Sequence, residues 1–536
     1  MSNQNSNIMP RENWGTKIGV ILAVAGSAVG LGNFLRFPGV AVQNGGGAFM
    51  IPYFTAFLLV GIPICWAEWI MGRRAGRLSG LSSAPGLFGV LTNGSPLRYL
   101  GALGLFVPFI IYLYYVYIES WCLAYFFFML SGDLGLKDSA ITGAYGQFFS
   151  EFVGNDATTT DFFSGVSVAY FFFLITFFIN FFFIYRGINR GIELFCRVAM
   201  PALMIMAVII AVRVITLGNV TPEAPEQNFI NGLGYMWNPD WSTLTNPEVW
   251  INACGQIFFS LSVGFGIIIT YASYLSKKDD VVLSGLTACS MNEFCEICLG
   301  GLIVIPSALI FLGISQMESV AQAGTFSIGF IVMPEIFDQM PAGHLFGAMF
   351  FFLLFLAGVT SSLSMLQPVI AFLEEGFGLN RKASVAILGL ITFLGASSII
   401  LSPGLTAMDT VDKYSNNIGI PLLALFEVII FIFVLKVSNG IKEAEHGADL
   451  KLPKAFGYVI YISPLFLLLI LGWWVKVQVE QYMDGTAAAL GTIETVSILA
   501  MIAVLFMLAL LQKLAWPRMQ RRHLAYKKMM EAEPLD

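Results

Sequence analysis

The chain has 536 residues, of which 57% are hydrophobic and only 12% charged, and its mean hydropathy is +0.77 with 48 phenylalanines. Soluble domains carry roughly a quarter charged residues, so this composition excludes a soluble protein and leaves an integral membrane protein. The net charge of −6 decides nothing by itself, and three histidines and seven scattered cysteines exclude a metalloenzyme or a disulfide-framed secreted domain.

In chain order, apolar stretches of about 20 residues, enough to cross a bilayer, begin near Thr16, Gly47, Leu100, Ser164, Gly191, Val249, Val281, His344, Ala383, Ile418, Ala455 and Ala487. The expected fold is therefore all-α, with twelve transmembrane helices. The polar start MSNQNSNIMPRENWG has no small-residue cleavage site after the first apolar run, so no signal peptide is expected. With both termini in the cytoplasm, nearly all of the 28 basic residues fall on cytoplasmic connections or tails. Only Arg36, Lys137, Arg213, Lys413 and Lys476 lie elsewhere. The opposite connections carry acids such as Asp133, Asp138, Glu151, Asp156, Asp161, Glu223 and Glu226, the asymmetry of a multi-pass protein of the inner (plasma) membrane. Two long outer connections, 131–163 and 315–343, are expected to fold over the outer face, and the basic run QRRHLAYKK near the C-terminus to meet lipid headgroups.

Span one contains Val29-Gly30-Leu31-Gly32 and span six Val263-Gly264-Phe265-Gly266, both preceded by small or hydroxylated residues. Each glycine weakens a helix by about 1 kcal/mol relative to alanine. Taken singly, such pairs serve close helix packing. Their recurrence five spans apart points instead to two interrupted helices around a shared site, because unwound backbone is tolerated in a bilayer only where protein encloses it. An odd number of spans per repeat inverts the second copy. The expected organisation is an N-terminal latch (1–13), a first inverted repeat (14–217), an outer loop (218–248), a second repeat (249–437), a cytoplasmic loop (438–454), helices eleven and twelve (455–512) and a tail (513–536).

The run Gly26-Ser27-Ala28-Val29-Gly30-Leu31-Gly32-Asn33-Phe34-Leu35-Arg36-Phe37-Pro38, followed by Asn44-Gly45-Gly46-Gly47-Ala48-Phe49, resembles the neurotransmitter:sodium symporter family, above all its bacterial amino-acid transporters of the leucine-transporter type. The similarity continues through residues 114–121, 255–262, 284–287 and 357–362, and covers most of spans one to ten. It implies two sodium sites. One is built from the Ala28 carbonyl with Asn33, Ser260 and Asn292 and is completed by a substrate carboxylate. The other uses the carbonyls of Gly26, Val29 and Ala357 and the hydroxyls of Thr360 and Ser361. Amine-transporting relatives carry Asp where this chain has Gly30, so an amino acid, which brings its own carboxylate, is the expected substrate. That carboxylate is expected on the amides of Leu31 and Gly32 and the hydroxyl of Tyr115. The amine is expected near Ala28, Phe259, Ser260 and Ser262. Ile111, Phe259, Ser262, Phe265, Ser361 and Met365 should surround the side chain; they offer no opposite charge, so a neutral, hydrophobic amino acid is expected.

The resemblance further implies an outer gate from Arg36 and Asp412 and an inner latch from Arg11, with Glu375 as its partner where leucine-type relatives have Asp. Tyr274 and Trp14 are expected around that latch. Glu296 stands where chloride-dependent relatives have a small polar residue. Transport is therefore expected to be chloride-independent, with Glu296 a candidate to return a proton. Glu68 is expected to bond amides freed in span one, with Glu119 and Glu427 structural. The second outer loop lacks cysteine, which favours a bacterial member. The alternative class is a non-transporting sensor or an ion channel on the same fold; a sensor would add a sizeable soluble output domain, and only short tails flank the spans. An enzyme is not expected, because no catalytic set of residues lies in or near the spans.

Overall fold

A computed structural model describes residues 14–134, 143–154, 167–218, 222–322, 324, 326–484 and 490–532. Backbone polar groups in hydrocarbon must be satisfied internally, and the apolar segments meet this demand as helices. Among the described residues the single β feature is one isolated bridge between Gly46 and Pro239.

The helices that frame the molecule are α1 (Lys17–Ala28), α2 (Gly32–Gln43), α3 (Met50–Ser79), α4 (Pro96–Ser131), α5 (Ser167–Tyr185), α6 (Ile188–Ile215), α7 (Pro247–Leu261), α8 (Ile267–Ser273), α9 (Val281–Leu312), α10 (Gly343–Phe377), α11 (Arg381–Ile400), α12 (Thr406–Ala444), α13 (Phe456–Gln481) and α14 (Thr492–Glu531). Ten of these are long and apolar enough to cross a membrane, or eleven if α1 and α2, bent by 41° at their junction, form one span. The sixth expected span consists of α7 and α8, of 15 and 7 residues, which fall short of a crossing individually.

Burial separates a core from a periphery. The apolar window of α4 is 100% buried, whereas those of α13 and α14 are 22% and 11% buried. The core pairs α4 with α10 and α3 with α8. Glycine permits the closest approaches. A Cβ on Gly300 would run into the Asn33 carbonyl, so only glycine lets the π-helical turns Gly32–Arg36 and Phe294–Gly301 touch. Such widened turns re-aim side chains inside helices, and these two carry Asn33 and Glu296.

The connection expected over one face contains two short helices, Ile314–Gln322 and Met333–Gln339. It is tied down where the Ala321 carbonyl accepts from Gln43 Nε2 (2.6 Å) and Glu318 accepts from the Tyr235 hydroxyl (2.9 Å). Much of the other long connection, 131–163, lies outside the described residues.

Candidate functional site

Helix α1 ends at Ala28, and the chain turns through Val29 and Gly30 before helical structure resumes. Helix α7 ends at Leu261, where Ser262 takes a left-handed φ of 54° and Gly264 and Gly266 take 71° and 73°. A side chain at either glycine would be strained in that backbone region, and at Gly266 it would also meet the backbone of Gly104. The Gly264 amide, released from helical pairing, donates to Glu68 Oε1 at 2.8 Å. Glu68 therefore serves the interruption between α7 and α8 rather than the one after α1, which corrects the sequence expectation. The reason is packing: α3 runs beside α8, and Gly72 and Gly76 of α3 lie against the carbonyls of Ile269 and Ser273.

Between the two interruptions lies a narrow cavity of about 10 Å³, lined by Ser27, Ala28, Gly30, Gly32, Tyr115, Phe259, Ser262, Phe265, Ser361 and Met365. No charged side chain lines it. Of the residues expected around a substrate, Leu31, Ser260 and Ile111 are buried outside this lining. Leu31 still contributes, since its amide donates to the Tyr115 hydroxyl at 3.0 Å; the two groups expected to hold a carboxylate thus meet each other at the cavity wall. Ser27 was missed from sequence, although it stands between two residues expected to offer carbonyls. Its own carbonyl accepts from Ser262 Oγ (2.9 Å) and Ser361 Oγ (3.2 Å), joining α7 and α10 to α1.

Two oxygen-rich clusters flank the cavity. In the first, Asn33 Nδ2 donates to Asn292 Oδ1 (2.9 Å) and Glu296 Oε2 (3.1 Å), and Asn292 Nδ2 to Ser260 Oγ (2.7 Å). The Ser260 hydroxyl bonds Glu296 directly, and Gln256 Nε2 donates to Glu296 Oε1 at 2.7 Å. Glu296 is fully buried, and all these partners are neutral donors. Asn33 Oδ1 accepts from the Gly30 amide (2.8 Å), which locks the first interruption to this cluster. In the second cluster, Ser361 Oγ reaches the Gly26 carbonyl (3.4 Å) and Thr360 Oγ1 the Ala357 carbonyl (2.9 Å). A Cβ on Gly26 would stand 3.3 Å from Thr360 Cβ, so α1 and α10 meet here backbone to side chain. Val29 is buried beside them.

Above Phe259, Arg36 pairs with Asp412 at 3.2 Å, and its guanidinium carbon lies 4.7 Å from the Phe259 ring centre. Asp412 Oδ1 also accepts from the Tyr114 hydroxyl (2.7 Å) and Asn416 Nδ2 (2.6 Å), two partners that sequence reading overlooked. Arg11 lies outside the described residues. The Glu375 carboxylate receives the amides of Ser82 (2.6 Å) and Ser83 (3.1 Å) and the Ser83 hydroxyl (2.7 Å). Trp14 Nε1 donates to the Tyr271 carbonyl at 3.2 Å, while Tyr274 accepts from Gln367 Nε2 at 3.0 Å. Glu119 accepts from Ser362 Oγ (2.5 Å) and Asn180 Nδ2 (3.2 Å), bonding α4 to α10 and α5.

An all-helical chain of many apolar spans around a buried, uncharged, oxygen-rich cavity defines a multi-pass membrane transporter. The chain belongs to the sodium:neurotransmitter symporter family, whose model matches residues 11–173 and 165–513; it is a family of transporters, not enzymes. An uncharacterised sodium-dependent transporter of Methanocaldococcus jannaschii is 32% identical over 474 residues, 86% of this chain and 89% of that protein. The sodium-dependent neutral amino acid transporter B(0)AT3 of Rattus norvegicus is 27% identical over 531 residues, 85% of this chain and 83% of its own length. Among solved structures, MhsT in complex with L-phenylalanine is similar with a TM-score of 0.74 and 30% identity, covering 87% of this chain and all of that one.

Proposed function

We propose that this protein is a sodium-coupled symporter that carries a neutral, hydrophobic L-amino acid into the cell by alternating access, without chloride. The observation that carries the reading is the cavity between the two interrupted helices, which offers amides, carbonyls and hydroxyls but no charged side chain. A zwitterion fits such a site, because its carboxylate meets the Leu31 and Gly32 amides and Tyr115 while its amine meets carbonyls near Ala28 and Phe259. Phe259, Phe265 and Met365 then face the side chain; the flexible thioether adapts to more than one shape. MhsT, solved with L-phenylalanine, and B(0)AT3, named for neutral amino acids, support this substrate class.

Sodium prefers hard oxygen ligands, and the Asn33–Ser260–Asn292 cluster with the Ala28 carbonyl supplies one set, the Gly26–Ala357–Thr360–Ser361 cluster with the Val29 carbonyl another. The first ion sits against the substrate carboxylate, so each stabilises the binding of the other, which is the coupling. Glu296 stands beside that ion where chloride-dependent relatives have a small polar residue, and its buried carboxyl is the candidate to carry a proton back in the return step. Counting the α1–α2 and α7–α8 pairs as one discontinuous span each gives twelve, arranged as inverted five-span repeats over 14–217 and 249–437. The basic-residue asymmetry supports a plasma-membrane orientation with both termini cytoplasmic, which places the Arg36–Asp412 gate outside.

The test is uptake of a radiolabelled panel of neutral amino acids into proteoliposomes, with and without an inward sodium gradient, in chloride and in gluconate. Accumulation is expected only with the gradient and equally in both anions. Uptake that ignores sodium sinks the coupling, and uptake that stops in gluconate sinks the chloride independence.

A further inference from the structure

At the end of the molecule opposite Arg36, the start of α1 is held by a fully buried carboxylate that none of the sites above uses. Glu193 ends the π-helical turn Ile188–Glu193 at the beginning of α6 and has no solvent exposure. Its Oε2 accepts the Gly15 amide at 2.7 Å, and its Oε1 accepts the Thr16 hydroxyl at 2.9 Å and Arg197 Nη2 at 2.7 Å. Thr16 is also the N-cap of α1, its hydroxyl oxygen accepting the Gly19 amide at 2.9 Å. One side chain thus fixes both the last residues before α1 and the cap of its first turn. Gly19 is small by necessity, since a Cβ there would occupy the place of the Glu193 carboxylate. From the other side, Trp14 is bonded to the Tyr271 carbonyl of α8 and packs edge-on against the Tyr271 ring at 5.2 Å.

We propose that Glu193 is the positioning residue that keeps α1 closed against α6, and that its release from Gly15 and Thr16 opens the path from the cavity at this end. The inference rests on the alternating-access reading, which requires the start of α1 to leave its neighbours in one state. The partner set makes the release reversible. A buried carboxylate stripped of its donors is strongly disfavoured, but Arg197 stands one turn away on the same helix with a side chain 48% exposed. It stays with Glu193 when α1 departs and keeps the charge paired while water reaches it. The glycine amide and the threonine hydroxyl are the contacts that break. Both are neutral, so no charge has to be separated at the opening step.

Hydrogen–deuterium exchange of residues 14–19 in the full-length protein, in proteoliposomes with sodium and with sodium replaced by choline, tests the proposal. Wild type is expected to protect this segment in sodium and lose protection in choline. Glu193→Ala should raise exchange there about tenfold in sodium, the scale of one charge-assisted hydrogen bond, while leaving α4 and residues 406–414 as protected as in wild type. Glu193→Gln, which keeps an acceptor for Gly15, should fall between. Should Glu193→Ala fail to fold, Glu193→Gln serves in its place, because it leaves the Thr16 cap of α1 intact and weakens the hold on Gly15, with a rise of about threefold expected. Protection of residues 14–19 unchanged in these variants overturns the role of Glu193. Protection that is sodium-dependent in wild type, together with wild-type uptake that ignores the gradient, instead overturns the symport reading and leaves the Glu193 contact standing.

Discussion

Arg36 and Asp412, 376 positions apart, form an ion pair at 3.2 Å directly above Phe259, whose ring forms part of the cavity wall. Their side chains are 12% and 19% exposed. A pair so placed is shielded enough to matter, yet close enough to water for each partner to be rehydrated when it opens. The cation also lies against an aromatic face, a contact worth about 0.5–1 kcal/mol or more when desolvated. The cavity is therefore closed on this side by a lid with a charged upper layer and an apolar lower one.

The lid yields the first prediction. Asp412→Ala removes the acceptor of Arg36, Tyr114 and Asn416 together and should lower uptake at least about tenfold. Asp412→Asn keeps hydrogen bonding for the neutral partners and should lose less. Exchange of the two residues, Arg36→Asp with Asp412→Arg, should recover part of the activity lost in either single change. Uptake kinetics in proteoliposomes measure all four, and full activity in Asp412→Ala would remove the gate from the mechanism.

Glu296 yields the second. It is fully buried, and its carboxyl is bonded by the neutral donors Asn33, Asn292, Ser260 and Gln256 within the cluster proposed for sodium. Glu296→Ser takes that carboxyl away and leaves room for an anion among the same donors. Uptake by this variant should fall about tenfold or more in gluconate and recover in chloride, whereas wild type should show no difference. A variant equally active in both salts would mean that Glu296 does not substitute for chloride.

Gly30 yields the third. A Cβ there would lie 2.5 Å from Ser361 Oγ and 2.8 Å from the Tyr115 hydroxyl, inside the cavity wall. Gly30→Ala should therefore weaken amino-acid binding by about tenfold or more, since overfilling a fitted site costs roughly 1–3 kcal/mol. Its thermal midpoint should change less than its affinity, because the Ser361 hydroxyl can rotate aside, although the Tyr115 oxygen lies on its ring axis and yields only if the whole ring shifts. Equilibrium binding of a labelled neutral amino acid and a melting curve separate the two effects; unaltered affinity would place the substrate elsewhere.

The apolar segments and the paired glycines were legible in the chain, because each leaves a local mark, whereas the oxygen sets proposed for sodium and the Arg36–Asp412 pair, 376 positions apart, came from the family resemblance. Apolar length marks a span, two glycines mark a weak helix, and a cluster of Ser, Thr and Asn in an apolar helix marks polar work. Interactions between distant groups left no such mark. Tyr114 and Asn416 on Asp412 were invisible because a tyrosine or asparagine looks the same whether or not a carboxylate approaches it. Ile111, expected at the cavity, is fully buried outside its lining, since it lies about 6 Å along the helix axis from Tyr115, one turn away on the same face.

The acids show where the division falls. Sequence alone determined that Glu68, Glu119, Glu296 and Glu427 lie within apolar spans, where an ionisable group needs a purpose. Only the tertiary structure decided which donors such buried acids meet: Glu68 takes the Gly264 amide, Glu119 takes Ser362 and Asn180, Glu296 takes Asn33, Asn292, Ser260 and Gln256, and Glu375, outside that set, takes the Ser82 and Ser83 amides. Glu193, unremarked in the sequence, takes the start of the first helix. A buried carboxylate must be satisfied by whatever donors packing brings to it, and the helices that bring them here are contributed by segments up to almost 300 residues away in the chain.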